Sequence, residues 1–102
     1  MTELLDFENF LKDFLDIKVD DFIGLYCKFC VLDDQNKNLA IEWYQKGNQE
    51  ITLSKKLIDF EKFLKESNKI NLDEFLHCFL YFKKLSNYSQ VYAVSKYLKN
   101  NS

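Results

Sequence analysis

The stretch LLDFENFLKD at residues 4–13 is nearly repeated as LIDFEKFLKE at residues 57–66, 53 positions later. The same register continues without a gap over residues 4–32 and 57–85, where twelve of the 29 aligned positions are identical. A gapless alignment that keeps both apolar and charged positions indicates a diverged internal duplication. We therefore divide the chain of 102 residues into repeat one, 1–53, and repeat two, 54–102.

Within each repeat, the apolar residues follow the period of an amphipathic helix. A first helix is marked in the two repeats by Leu4, Phe7 and Leu11, then Leu57, Phe60 and Leu64. A second is marked by Phe22, Leu25 and Phe29, then Phe75, Cys78 and Phe82. A third, shorter helix is expected around 39–46 and again around 88–99, the latter with a stripe of Val91, Val94 and Leu98. We predict an all-α fold, a compact bundle of about six helices in two tandem three-helix repeats, forming a single domain over residues 1–102.

Several residues are typical of helix ends. Asn71 followed by Glu74 indicates a capping box, and Asp20 and Asp21 suit the positive end of a helix dipole. Gly47, followed by Asn48, is typical of a helix C-terminus. These signals agree with the boundaries of the apolar stripes.

Composition limits the kind of protein. The chain has no proline and two glycines, so little in it would interrupt helices. No apolar run reaches the roughly 18 residues of a membrane span, and the acidic start MTELLDFENF differs from a basic secretion signal. Three cysteines, an odd number, fit a reducing compartment better than a disulfide framework. We expect a cytoplasmic protein without a membrane partner.

Two metal sites can be drawn from the sequence, and we predict neither. Cys27 and Cys30 form a CxxC that could join His77 and Cys78 around zinc, but adjacent residues point about 100° apart on a helix. We interpret the three cysteines as half-buried thiols, with a redox or metal role left open. The segments IKVDDF and INLDEF resemble part of an EF-hand loop, yet the oxygen ligands and glycine that calcium needs are missing. We expect no metal and no cofactor.

Catalytic groups are sparse. His77 is the only histidine, and a lone histidine on a helix is more often structural than catalytic. There is no glycine-rich phosphate loop, and no serine lies in a nucleophile-elbow context. Paired acids such as Asp20 and Asp21 are commoner as solvated residues at helix ends than as acid–base pairs. We therefore predict no catalytic residues and no enzymatic activity.

Charge is unevenly divided between the repeats. Repeat one holds eleven acids and five bases, for −6, and repeat two holds five acids and nine bases, for +4. A short turn between the first two helices would bring four of the acids to one corner, and such a cluster attracts a basic partner. The predicted partner-binding residues are Asp13, Asp16, Asp20, Asp21, Asp33, Asp34 and Trp43. The alternative for the acids is a solvated, helix-capping surface with no partner.

Other uses of the surface compete with this one. Trp43 would be the apolar anchor of the interface, or else a half-buried packing residue. The lysines of repeat two attract phosphate without specificity, and since the chain has no arginine we do not expect nucleic-acid binding. Head-to-tail self-association, which joins the acidic repeat of one copy to the basic repeat of the next, is a further use of the same asymmetry, and a homodimer is a further possible partner arrangement.

The segment LLDFENFLKDFLDIKVDDFIGLYCKF, residues 4–29, resembles the start of small helical immunity proteins of the colicin D immunity type, including those of contact-dependent growth inhibition systems. The correspondence consists of a helix and short linker followed by Ile17, Asp21-Phe22 and Tyr26. The resemblance implies a helical bundle that covers the active-site cleft of a nuclease toxin, with acids in place of RNA phosphates.

These observations predict an immunity protein that binds and neutralises a basic bacterial nuclease toxin through its acidic helical surface. A non-enzymatic adaptor or self-assembling scaffold is the first alternative. A phage-encoded inhibitor of a host defence enzyme is the second. The sequence does not distinguish an RNase from a DNase as the toxin.

Overall fold

A computed structural model describes residues 2–47 and 51–101 of the chain. Across these residues the secondary structure is entirely helical, without a strand, which confirms the all-α prediction and the six predicted helices. The helices are α1 (Thr2–Leu15), α2 (Val19–Cys30), α3 (Asp34–Gln45), α4 (Lys55–Asn68), α5 (Leu72–Lys83) and α6 (Asn87–Asn100). The third helix of repeat one, α3, begins at Asp34, five residues before the first apolar position used to predict it.

The helix boundaries recur at the spacing of the sequence repeat. The first residues of α4, α5 and α6 each lie 53 positions after those of α1, α2 and α3. The backbone between the helices follows the same spacing, since Asp16 and Lys69, 53 residues apart, both adopt the left-handed conformation, with φ of 54° and 57°. Equivalent helices therefore occupy equivalent stretches of the two repeats.

Polar side chains cap several helices as the local sequence indicates. Ser54 and Ser86 precede α4 and α6, and each hydroxyl accepts a hydrogen bond from the backbone N–H three residues later. The Glu74 carboxylate accepts from the Asn71 N–H at 2.9 Å, which is the returning half of the predicted capping box. Gly47 follows α3 with φ of +75°, as a helix-terminating glycine does, and Asn48 lies outside the described residues.

The chain forms two compact units, and neither coincides with a repeat. Unit 1 comprises Met1–Tyr26 and Cys78–Ser102, and unit 2 comprises Cys27–His77. Each unit therefore combines parts of both repeats: α1, α6 and portions of α2 and α5 belong to unit 1, and α3, α4 and the remaining portions belong to unit 2. A shift of 53 positions carries α1 onto α4 and α3 onto α6, so it exchanges the helices of one unit with those of the other.

The core of unit 1 is centred on three phenylalanines. The rings of Phe7, Phe22 and Phe82 have centroid distances of 5.2, 5.4 and 5.7 Å, and all three side chains are fully buried. Edge and tilted contacts at these distances are the favoured geometry for aromatic pairs. Two of these residues come from repeat one and the third from repeat two.

Unit 2 contains the equivalent cluster. Phe29, Phe60 and Phe75 have centroid distances of 5.4, 5.4 and 5.3 Å. They stand 53 positions from Phe82, Phe7 and Phe22, respectively. Here two residues come from repeat two and one from repeat one, so neither repeat contains a complete cluster.

The α6 helix differs from its prediction. Val91 and Leu98, two of the three residues of the predicted core stripe, are 63% and 56% exposed. The helix instead buries two small residues one turn apart, Ser89 and Ala93, which allow a close approach to α1. Small side chains set the packing face of this helix, and its larger apolar residues lie outside the core.

None of the helices in the described part of the chain combines the length and apolarity that a membrane span requires.

Candidate partner-binding surface

The turn between α1 and α2 places the first four predicted acids. The α1 helix ends at Leu15, and Asp16 then adopts the left-handed conformation while its N–H donates to the Lys12 carbonyl at 3.0 Å. Two residues separate Asp16 from the start of α2 at Val19. Asp20 and Asp21 then fall in the first turn of α2, where the helix dipole favours carboxylates. All four acids, including Asp13 in the last turn of α1, belong to unit 1.

The carboxylates at this turn are open to solvent. Asp13, Asp16 and Asp21 are exposed and Asp20 is half-buried. Asp20 Oδ2 accepts a long hydrogen bond, 3.5 Å, from the amide of Asn100 in α6. Among residues 2–47 and 51–101, no lysine lies within ion-pairing distance of any of the four. Their charges are therefore available to a partner.

A groove of about 600 Å³ lies between α1, the following turn and α6. It contains Asp16 and Asp20 of the predicted site, together with Glu8. The same groove is lined by Lys12, Lys18 and Lys96, so it contains three acids and three bases. The sequence did not predict these lysines as neighbours of the acids, because Lys96 comes from the far end of the chain.

The charge difference between the repeats does not become a difference between the units. Unit 1 carries seven acids and six lysines, and unit 2 nine acids and eight lysines, so each has a formal charge of −1. Each unit combines an acidic segment of repeat one with a basic segment of repeat two. The acidic character of unit 1 is therefore local, at the α1–α2 turn.

The predicted residues Asp33, Asp34 and Trp43 belong to unit 2. Asp33 stands at the N-cap of α3 and its carboxylate accepts a hydrogen bond from the Asn36 amide. This hydrogen bond, together with the nearby charge of Lys56, lowers the pKa of Asp33. Asp34 pairs with Lys37 at 3.4 Å on the surface of α3. Both acids thus have local partners at the start of this helix, Asn36 for Asp33 and Lys37 for Asp34.

Trp43 is half-buried on α3, and its equivalent 53 positions later is Lys96 in the groove of unit 1. The apolar residues beside the groove are also more exposed than their equivalents in unit 2. Leu4, Ile17 and Val19 of unit 1 are only half-buried, whereas their equivalents in unit 2 are almost completely buried: Leu57 at 0%, Ile70 at 2% and Leu72 at 0%. Unit 1 therefore has an open groove where unit 2 has a closed core.

The cysteines and the histidine have ordinary structural surroundings. Cys27 and Cys30 are half-buried in the last turn of α2, and burial together with the neighbouring Cys30 raises the pKa of the Cys27 thiol. Cys78 is fully buried in α5. The exposed His77 shares a 2.8 Å hydrogen bond between its Nδ1 and the Tyr44 hydroxyl. A raised pKa keeps Cys27 in the thiol form, which is the less reactive form and the poorer metal ligand.

Over residues 2–47 and 51–101 there is no group of three or more histidine, cysteine, aspartate and glutamate side chains arranged to hold a metal ion.

Comparison of the chain with protein-family models, with curated proteins and with solved structures finds no match. Function is therefore inferred from the residues and their geometry.

An apolar surface on α6 was also missed by sequence reasoning. Tyr88, Val91, Tyr92 and Leu98 are all substantially exposed, and Tyr88 and Tyr92 form a shallow pocket with Leu5 of α1. The sequence does contain a signal for this surface. Large apolar side chains occur on almost every side of α6, more than one packing face can bury.

Proposed function

We propose that this protein is a non-enzymatic, cytoplasmic immunity protein that binds and neutralises a basic toxin domain, with a bacterial nuclease as the target class. The proposal rests on four solvent-accessible carboxylates that all lie in the nine-residue segment 13–21, which contains the α1–α2 turn. Lysines and arginines that line a nuclease cleft bind phosphates, and carboxylates on a rigid turn present the same charge to them.

The local structure suits this role because it holds the acids in place before binding. Asp16 is fixed by the left-handed turn, and Asp20 and Asp21 belong to a regular helix. Preorganised groups lose less conformational entropy on association than groups in a flexible loop. The groove is also lined by Lys12, Lys18 and Lys96. These lysines would repel a partner whose basic groups face them instead of the acids, so they contribute to the choice of partner.

The test begins with a pull-down from the native host, with mass spectrometry to identify the bound protein. Association of that protein with the double variant Asp20→Lys and Asp21→Lys is then measured at low and high salt. Loss of electrostatic steering should slow association by about tenfold or more at low salt, and the difference should shrink as salt rises.

A matched control separates the local effect from net charge. The double variant Asp59→Lys and Glu66→Lys makes the same change of formal charge at two exposed acids of α4. It should associate almost as fast as the wild type. Equal association rates for the Asp20/Asp21 variant and the wild type, with circular dichroism showing both folded, would overturn the proposal.

A further inference from the structure

The α6 helix has a buried face of small residues and, opposite it, an exposed apolar face. The inward face contains Ser89 and Ala93, which are 1% and 3% exposed. The outward face contains Tyr88, Val91 and Leu98, which are 70%, 63% and 56% exposed. At 100° per residue, these three side chains point to the side of the helix opposite Ala93. An apolar face of this kind on an otherwise packed helix is typical of an interaction surface.

The spacing of the outward face is that of a helix–helix seam. Tyr88, Val91, Ser95 and Leu98 follow one another at intervals of three, four and three residues, the a/d pattern of paired helices. This spacing reads the same in both directions along the helix. Two copies of the face therefore match when the helices run antiparallel, with Tyr88 opposite Leu98 and Val91 opposite Ser95. The small Ser95 leaves room for Val91 at the centre.

We propose that the outward face of α6 binds the same face of a second copy of this chain, forming an antiparallel, two-fold symmetric dimer. In such an isologous interface every contact occurs twice, so a self-complementary stripe is what the symmetry requires. The proposal does not rest on toxin binding, because the four residues of the seam are separate from the acids at the α1–α2 turn.

The charges on and beside α6 favour the antiparallel arrangement. The only charged residues of α6 are Lys96 and Lys99, both in its second half. Its first half adjoins the exposed Glu8 of α1, which shares the shallow pocket with Tyr88 and Tyr92. Antiparallel pairing places the lysines of one copy against the tyrosines and Glu8 of the other, where ion pairs and cation–π contacts form. Parallel pairing would place like charges together.

The size of the surface predicts a weak dimer. The stripe spans eleven residues of α6, or roughly 15 Å at 1.5 Å per residue, and Leu5 of α1, 54% exposed, widens it at one end. A helix pair of this length covers on the order of 1,000 Å² in total, at the low end of specific interfaces. Association should therefore depend on concentration in the micromolar range.

Sedimentation velocity of the full-length protein over a wide concentration range tests the proposal. The wild type should shift from the 12.3 kDa monomer toward twice that mass as concentration rises. Val91→Glu places two carboxylates at the centre of the seam and should weaken the dimer at least tenfold. The control is Val31→Glu, the same substitution at a valine that is 81% exposed outside α6, and it should dimerise like the wild type.

A mixing experiment tests the register. Ser95→Lys should also weaken self-association, but in the antiparallel seam its lysine faces position 91 of the other copy. An equimolar mixture of Val91→Glu and Ser95→Lys should therefore form heterodimers more strongly than either variant forms homodimers. A wild type that stays monomeric up to millimolar concentration would overturn the proposal and leave the face to a different protein. Dimerisation unaffected by Val91→Glu would overturn it as well.

Discussion

At the scale of single residues, Glu3 connects the starts of two helices in unit 1. Its carboxylate accepts hydrogen bonds from the Ser86 N–H at 3.1 Å, from the Ser86 hydroxyl and from the Ser89 hydroxyl at 2.6 Å. Ser89 is the one polar residue in the buried class among those the structure describes, and Glu3 satisfies its hydroxyl. An acid near the start of α1 thereby completes the cap of α6.

These hydrogen bonds favour the charged form and lower the pKa of Glu3. A carboxyl with a lower pKa in the folded state than in the unfolded state adds stability above the unfolded pKa, and loses it as the pH falls through the folded value. Glu3→Gln should therefore be less stable than the wild type at pH 7, and the two should converge in acid, where Glu3 is protonated. Urea unfolding at several pH values measures this.

The exposed Glu66 provides the control for Glu3. Glu66→Gln removes a carboxylate from α4 that caps no other helix, so it should change stability little at any pH. If Glu3→Gln also leaves the pH dependence of the free energy of unfolding unchanged, the hydrogen bonds of Glu3 contribute nothing to stability.

At the scale of the helices, the end of α4 shows how the first two helices of a repeat are joined. Lys69 adopts the left-handed conformation, its N–H donates to the Lys65 carbonyl, and the N–H of Ile70 donates to the Leu64 carbonyl at 3.3 Å. Ile70 is buried beside this turn. A left-handed residue that ends a helix in this way is most often glycine.

Lys69→Gly should stabilise the protein by about 1 kcal/mol, because glycine adopts the left-handed conformation without the steric cost that a Cβ brings. Lys69→Ala removes the same lysine side chain but keeps the Cβ, so it should change stability much less. Thermal and denaturant unfolding of both variants separates the backbone effect from the side-chain effect. A greater gain from Lys69→Ala than from Lys69→Gly would contradict the explanation.

Helix positions could be predicted from the sequence more fully than helix faces. The stripes of Phe7 and Leu11, and of Phe60 and Leu64, lie in the core as their spacing indicates. In α6 the same reasoning fails, because Val91 and Leu98 lie at helical spacing yet outside the core. Periodicity shows that a helix has an apolar face. It does not show which face packs against a neighbouring helix when the two lie so close that only small side chains fit between them.

At the scale of the whole chain, the two phenylalanine clusters decide how the repeats depend on each other. Each cluster takes two rings from one repeat and the third from the other: Phe82 completes the cluster of unit 1, and Phe29 that of unit 2. Truncation of a buried phenylalanine to alanine typically costs about 3–5 kcal/mol. A separate repeat would lack one ring of its cluster and most of the stability of a small domain.

Separate polypeptides of residues 1–53 and 54–102 should therefore be largely unfolded, and an equimolar mixture should regain helix content and melt cooperatively. Chains of about 50 residues bury a smaller fraction of their surface than larger domains do, so their stability is marginal even with a complete core. Circular dichroism of each half and of the mixture measures this. Cooperative unfolding of either half alone would show that the repeat is itself a folding unit.

The candidate site was predictable in part. The four acids around the α1–α2 turn are close in sequence, so one short turn between two helices was enough to group them. The lysine opposite them, Lys96, lies 76 residues beyond Asp20, and no periodic pattern relates the two. The net charge of each unit could not be predicted from the sequence for the same reason. The net charges of the two repeats differ by ten, whereas those of the two units are equal.

The division of each phenylalanine cluster has a consequence for how such a chain could arise. If both repeats descend from one ancestral gene, the ancestral polypeptide needed a ring from a sister molecule to finish each cluster. Fusion of two gene copies end to end then turns an encounter between molecules into an intramolecular one, with an effective concentration in the millimolar range. Folding no longer depends on expression level, and the two copies become free to diverge, as Trp43 and Lys96 have done.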